Sequence, residues 1–190
     1  MKNILLVFVI VIMSLSCSQQ AIEESRAKVE DQKPDWKSNV EKTLKTFGHR
    51  NWIVVADAAY PEQSNPAINT ITIDAGQLAA VEYVNRLIEK AGHVDATIFL
   101  DKEIKYVPEE NAKGIEKYRT ELSEIFQGKT VETMLHEDII RQLDESAKLF
   151  NVLIIKTDLA LPYTSVFFRL ECGYWNEESE NQLRSSLSLE

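Results

Sequence analysis

Residues 48–61 read GHRNWIVVADAAYP, and the five central residues, WIVVA, form the clearest strand pattern of the chain. A continuous apolar run rich in β-branched residues is typical of a strand covered on both faces, as in the parallel sheets of α/β proteins. His49 precedes this run and Asp57 follows it. The stretch therefore leaves two alternatives: a core strand with ordinary polar ends, or a strand whose two ends carry the working groups of a site.

Helix and strand patterns alternate along the rest of the chain. Apolar residues at helical spacing predict helices over residues 36–47, 77–90, 109–127 and 137–150. Short β-rich runs predict further strands over residues 69–74, 96–101, 129–134, 151–157 and 163–175. This alternation predicts an α/β fold, a single three-layer α/β/α domain over residues 36–176. The polar tail, 177–190, is expected to be frayed.

The N-terminus has the layout of an export signal. Residues 4–15 form an apolar run interrupted only by Ser14, which is shorter than the roughly 20 residues that a membrane-spanning helix needs, and Ser16-Cys17 follow. This arrangement resembles a bacterial lipoprotein signal, in which Cys17 becomes the lipidated first residue. Residues 1–17 are predicted to be that signal and residues 18–35 a flexible tether, so the protein is expected to be membrane-anchored in the periplasm or at the outer membrane. The alternative is an uncleaved hydrophobic anchor.

Composition and motifs exclude several classes of function. The formal net charge of −9 argues against nucleic acid as a partner. The glycine-rich nucleotide loops, the serine-hydrolase elbow and the zinc-protease motif are all missing from the sequence. The three histidines are far apart in sequence, so we expect no metal site.

Polar residues follow several of the predicted strands. Asp57 and Asp101 each come directly after an apolar strand, and the loop 157–162 follows another. Ligands of open α/β sheets bind beyond the carboxyl ends of strands, which makes these positions candidates for a site. Each of them can equally be a solvated strand end, and His136 can simply lie near a helix N-terminus.

The order of the motifs favours the functional alternative. GHRNWIVVADAAYP resembles the opening signature of the ribose pyranase and fucose mutarotase family, with Gly48, His49, Asp57 and Pro61 in register. The likeness continues through the segments ITIDAG (71–76), TIFLDKEI (97–104), His136 at a helix start, IIKT (154–157) and LPYTSVFFRLECG (161–173). It extends over roughly residues 38–175.

The resemblance implies an isomerase that opens and recloses the ring of a monosaccharide by acid/base catalysis and needs no cofactor. By position, it makes His49 the proton donor and acceptor, and it places Asp57, His136, Tyr163 and Ser165 against the sugar. Along one straight strand, His49 and Asp57 lie on the order of 20–25 Å apart at about 3.3 Å per residue. The two residues could then act together only across a subunit boundary or if the chain bends sharply near Gly48. The family is described as ring-shaped homo-oligomers with sites between subunits, which fits the first alternative.

Three departures from the family pattern leave other functions open. Asn51 replaces an aspartate, Thr157-Asp158-Leu159 replaces Thr-Gly-Glu, and Ser165 replaces an asparagine. The last two changes lie in the expected sugar pocket. Two alternatives to the enzyme are therefore a non-catalytic monosaccharide-binding lipoprotein of the same fold and a structural, ring-forming envelope protein.

Overall fold

A computed structural model of the protein describes residues 35–188. The predicted signal peptide with Cys17, and the tether up to residue 34, lie outside the described residues. Within the described part of the chain, none of the helices is long and apolar enough to cross a membrane.

The described residues form a mixed α/β structure in which helices and strands alternate. The helices are α1 (Trp36–Thr46), α2 (Gln77–Ala91), α3 (Ile115–Ile125), α4 (His136–Ser146) and α5 (Glu177–Leu187), with a 3₁₀ helix at Lys102–Tyr106. The strands are β1 (Trp52–Ala56), β2 (Ile68–Thr72), β3 (Val94–Asp101), β4 (Val131–Met134), β5 (Val152–Lys156) and β6 (Val166–Cys172). The predicted α/β class is confirmed, and β1 has the bounds that its apolar run predicts.

The six strands form one sheet in the order β2-β5-β1-β6-β3-β4. Strand β6 runs antiparallel to both of its neighbours, β1 and β3, and the other pairs are parallel. The carboxyl ends of five strands therefore meet the start of β6 at one edge of the sheet, which we call the carboxyl edge. The opposite edge, where β1 begins, is the amino edge.

Helices cover the sheet on both faces. On one face, Ile139 and Leu143 of α4 pack in a buried cluster with Trp52, Val54 and Phe167. On the other face, Phe126, just after α3, contacts Phe168 edge-on with ring centroids 6.2 Å apart. Each apolar side chain buried in this way contributes about 1.5–3 kcal/mol, so the two interfaces supply much of the stability. The three-layer prediction is confirmed.

Helix α3 begins at Ile115, six residues later than the apolar pattern predicts. Gly114 has a left-handed φ of +98°, which a helix interior does not tolerate. The Glu109 carboxylate accepts hydrogen bonds from the backbone N–H groups of Gly114, at 2.5 Å, and of Glu116, at 3.0 Å. These bonds lower the pKa of Glu109 and fix the segment before α3 as a turn.

The predicted last strand, 163–175, begins three residues too early. Strand β6 starts at Val166, and Tyr163, Thr164 and Ser165 form the turn that leads into it. Tyr163 has a φ of +58°, a left-handed conformation that is uncommon for a bulky residue. Such strain is held by surrounding contacts and is frequent at functional sites.

The polar tail contains a helix, so the expectation of a frayed segment is wrong for most of it. The Asn176 side chain accepts a hydrogen bond from the Ser179 N–H at 2.8 Å and caps the N-terminus of α5. Acidic residues in the first turn and Arg184 in the last turn complement the helix dipole. None of the side chains of α5 is buried, so local capping and charge placement account for this helix.

Candidate functional site

The end of β1 and the start of β6 are joined by a carboxylate–hydroxyl pair. Ser165 Oγ donates to Asp57 Oδ2 at 2.9 Å, and the Ala59 N–H donates to Asp57 Oδ1 at the same distance. Neighbouring strands bring Asp57 and Ser165 together although 108 residues separate them in sequence. Both are predicted site residues, and the structure places them side by side at the carboxyl edge.

A second pair of predicted residues joins the segment before β6 to the start of α4. His136, the first residue of α4, and Tyr163 contact each other edge-on with ring centroids 5.8 Å apart. Four of the five predicted sugar-site residues thus form a short series along the carboxyl edge, from Asp57 through Ser165 and Tyr163 to His136. Imidazole, phenol, hydroxyl and carboxylate groups together can donate and accept the several hydrogen bonds that a polyhydroxylated ligand needs.

Two acidic residues outside the five predicted site residues hold His136. Asp101, the last residue of β3, approaches His136 Nδ1 with its Oδ1 at 3.1 Å. The Glu103 carboxylate accepts the His136 backbone N–H, with both oxygens 3.1 Å from the nitrogen. The segment LDKE (100–103) therefore fixes both the side chain and the backbone of His136. Position at a strand end was the available signal for Asp101, whereas nothing in the sequence pattern identifies Glu103.

Burial changes the acidity of Asp101. Its side chain is fully buried, and this desolvation raises the pKa of the carboxyl to about 6. The charge and hydrogen bond of His136 oppose the rise in pKa, whereas the nearby Glu103 and Asp57 carboxylates add to it. Its second oxygen, Oδ2, has no hydrogen-bond partner among the described residues.

A buried polar network supports the turn that carries Tyr163 and Ser165. The side-chain amide of Gln77, on α2, donates to the Thr164 carbonyl and to the Tyr118 hydroxyl, the latter at 3.1 Å. The Tyr118 hydroxyl donates to the same Thr164 carbonyl at 2.8 Å, and Thr157 Oγ1 lies 2.9 Å from Gln77 Oε1. The network therefore connects α2 and α3 to the ends of β5 and β6.

The segment 157–159 forms a hydrogen bond with the residues that follow β1. The Leu159 carbonyl accepts the Ala58 N–H at 2.9 Å, and Thr157 is buried under it. Asp158 is exposed. The segment thus fixes the residues next to Asp57 through main-chain contacts, and its acidic side chain lies on the surface.

His49 lies at the amino edge, away from the other four predicted residues. It is exposed in a tight turn, in which the Asn51 N–H donates to the Gly48 carbonyl at 3.3 Å. Strand β1, which separates His49 from Asp57, alone spans about 16 Å at about 3.3 Å per residue. The expectation that His49 and Asp57 of one chain lie far apart is confirmed, so one chain alone does not bring all five residues together.

The carboxyl edge is partly exposed in the single chain. Tyr163 is 39% exposed, and Leu135, which precedes His136, is 52% exposed. A separate groove of about 410 Å³ runs beside α4 between Trp52, Met134 and Arg169, and none of the five predicted residues lines it. Leu135 and Tyr163 thus place exposed apolar surface beside the polar residues of the carboxyl edge.

Comparisons with known proteins agree with the fold. The model of a family described as the RbsD / FucU transport protein family matches residues 32–173, about three quarters of the chain. Bacillus subtilis RbsD, solved in complex with D-ribose, is 18% identical with a TM-score of 0.52, and the match covers 73% of this chain and 94% of that one. No curated protein matches the chain.

Two further solved structures are more distant in shape. The fucose mutarotase of Streptococcus pneumoniae, in complex with L-fucose, is 20% identical with a TM-score of 0.45, over 67% of this chain and 87% of that one. FucU from Bifidobacterium longum is 14% identical with a TM-score of 0.49, over 69% and 91%. At these identities, the likeness to B. subtilis RbsD shows the fold alone.

Proposed function

The chain belongs to the RbsD / FucU family, and from this membership we propose that it is a sugar isomerase that opens and recloses the ring of a monosaccharide. The observation that carries the proposal is that two contacting pairs, Asp57 with Ser165 and His136 with Tyr163, lie at the carboxyl edge and are linked by the short segment 163–165. These are the side chains that the family resemblance assigns to the sugar. They come from three separate parts of the chain and meet where α/β sheets bind ligands.

Ring opening needs two groups that exchange protons with the sugar. One removes the proton of the anomeric hydroxyl while the other protonates the ring oxygen, and reclosure reverses both transfers. Histidine suits this task because its pKa lies near neutrality. Neither step needs a redox group. His136 supplies one imidazole at the carboxyl edge, with Asp57, Tyr163 and Ser165 as hydrogen-bonding partners of the sugar hydroxyls.

The second imidazole is His49 of a neighbouring copy of the chain. In one copy His49 lies exposed at the amino edge, and the exposed Leu135 and Tyr163 flank the polar residues of the carboxyl edge. Packing the amino edge of one subunit against the carboxyl edge of the next brings the two sets together and covers the apolar side chains. Such a head-to-tail contact generates a ring when its rotation closes.

Magnetisation-transfer NMR on ribose, fucose and galactose tests the proposed activity. We expect the full chain to accelerate anomer or ring-form exchange of at least one sugar over buffer, and His49→Ala to lower that rate by about 10²-fold or more, the usual contribution of a general acid or base. An equal rate with His49→Ala, or no acceleration of any of the three sugars, contradicts the proposal.

Binding without catalysis is the second candidate, and the departures in the pocket favour it. Ser165 is already bonded to Asp57, and the segment 157–159 uses main-chain groups where the family has an acidic side chain. A binding protein of this kind gives saturable heat of sugar binding in calorimetry, with an exchange rate equal to that of buffer.

We also propose that the protein is an exported lipoprotein with a lipid on Cys17. The apolar run 4–15 followed by Ser16-Cys17 supports this proposal. In a bacterial host fed with a labelled fatty acid, the wild type is expected to incorporate the label and to sediment with membranes, whereas Cys17→Ser incorporates none. Cys172→Ser is the matched control, and loss of label there instead contradicts the assignment.

A further inference from the structure

Asp101 is the one carboxylate that is fully buried among residues 35–188. Its Oδ1 faces His136 Nδ1 at 3.1 Å, and its Oδ2 has no hydrogen-bond partner in this part of the chain. Burying a carboxylate with one oxygen unsatisfied is unfavourable, because the charged form loses its hydration. A neutral side chain of similar size fills the same space without that penalty. The ionisable group therefore calls for an explanation beyond packing.

The geometry around His136 supplies that explanation. A carboxylate at Nδ1 favours the tautomer in which Nδ1 carries the proton, so that Nε2 has a free lone pair. None of the described residues forms a hydrogen bond with Nε2, and the ring is partly exposed at the carboxyl edge. Glu103 holds the backbone of the same residue, which fixes the point from which the imidazole reaches Asp101.

We propose that Asp101 is a positioning residue that holds the proton of His136 on Nδ1 and thereby makes Nε2 the proton acceptor of the sugar site. This inference rests on the proposed function and deepens it, since it assigns the base that removes the anomeric proton. Asp101 itself does not touch the sugar. It acts through the orientation and tautomer of the imidazole.

The proton and electron balance is complete within the proposed site. Nε2 of His136 accepts the proton of the anomeric hydroxyl, and the electron pair of that O–H bond forms the C1 carbonyl. The bond between C1 and the ring oxygen breaks, its electron pair stays on the ring oxygen, and that oxygen takes a proton from the His49 of the neighbouring copy. Reclosure on either face of the carbonyl returns both protons.

Nitrogen-15 NMR of the histidine ring tests the inference independently of activity. At pH 8, the wild type is expected to show His136 protonated at Nδ1, and Asp101→Asn to shift the proton to Nε2, because the Asn amide donates to Nδ1. Asp95→Asn, an exposed position at the start of the same strand, is the matched control and leaves the tautomer unchanged. A wild-type His136 protonated at Nε2, or a tautomer unchanged in Asp101→Asn, overturns the proposal even if the sugar activity is found.

The rate measurement separates positioning from binding. Asp101→Asn is expected to lower the exchange rate at saturating sugar by about 10²-fold or more while the calorimetric affinity for the sugar changes less than about threefold, because a misplaced proton removes the base and leaves the contacts. Asp95→Asn retains the wild-type rate. A wild-type rate in Asp101→Asn with its tautomer switched overturns the assignment of His136 as the base. If no sugar is isomerised, the proposed function fails and the tautomer result stands alone.

Stability gives a third readout that a merely structural Asp101 does not predict. The titratable groups that face Asp101 are His136, Glu103, Asp57 and Tyr60, and their net effect with burial is a raised pKa, about 6. The folded chain therefore binds this proton more tightly than the unfolded chain. Loss of the proton lowers the free energy of unfolding as the pH rises from about 4 to 6. Asp101→Asn is expected to have a higher urea midpoint than wild type at pH 7.5, with the difference shrinking towards pH 4. A lower midpoint at pH 7.5 shows that the carboxylate stabilises the fold and overturns the reading of it as a functional group.

Discussion

Two inactive variants, His49→Ala and His136→Ala, are expected to recover sugar isomerisation when their chains are co-assembled in one oligomer. His49 lies at the amino edge and His136 at the carboxyl edge, with the length of β1 between these edges. We expect each site to combine the amino edge of one subunit with the carboxyl edge of the next. A site then contains both intact histidines when the His136→Ala chain supplies the amino edge and the His49→Ala chain supplies the carboxyl edge. With equal and random mixing, about a quarter of the sites are complete, since each half is intact with a probability of one half.

The measurement uses co-expressed chains that carry different affinity tags and are purified through both tags. Each variant alone is expected to retain about one hundredth of the wild-type rate or less, and the mixed oligomer about a quarter of it. The control combines His136→Ala with Asp57→Ala. Both of these residues belong to the carboxyl edge of one chain, so no pairing restores a complete site and the rate stays low. A site shared between subunits is wrong if the first mixture shows only the average rate of the two single variants. It is also wrong if the control mixture recovers as much activity as the first mixture.

The pattern of apolar residues predicts the strands of this fold well. Strand β1 follows the run WIVVA without a shift, because a strand buried on both faces needs apolar side chains at every position. The alternation of helices and strands then predicts a largely parallel sheet, whose carboxyl edge is where Asp57 and His136 are found. The opposite placement of His49 also follows from sequence, since the length of a strand fixes the distance between its ends.

Local turns and long-range pairs are not visible in the same pattern. The start of α3 depends on a left-handed Gly114 and on the carboxylate of Glu109, which hydrophobic periodicity does not detect. The contact of Asp101 with His136 joins residues that are 35 positions apart and depends on the pairing of β3 with β4. Sequence patterns show which groups lie at strand ends, whereas the order of the strands decides which of these groups meet.

Replacing Gln77 by Ala is expected to lower the free energy of unfolding by about 2–4 kcal/mol and the exchange rate by about tenfold or more. The side chain is only 3% exposed, and its amide donates to the Thr164 carbonyl and the Tyr118 hydroxyl. The substitution removes both bonds, leaves a cavity and takes away the group that faces Thr157. Gln77, Tyr118 and Thr164 are all buried, and burial also raises the pKa of Tyr118, so an unpaired polar atom there costs free energy.

The effect on the rate follows from what Thr164 holds in place. It lies between Tyr163, whose left-handed φ needs support, and Ser165, which is bonded to Asp57. Loss of the amide of Gln77 frees this turn, so both neighbours move relative to the sugar. Urea unfolding and exchange NMR on Gln77→Ala measure the two effects, and Gln77→Met separates them by restoring volume without hydrogen bonds. Met is expected to recover part of the stability but little of the rate, whereas Gln182→Ala, on the exposed face of α5, stays within about 0.5 kcal/mol of wild type. A Gln77→Met variant with the wild-type rate contradicts a positioning role for the network, because packing alone then suffices to hold the turn.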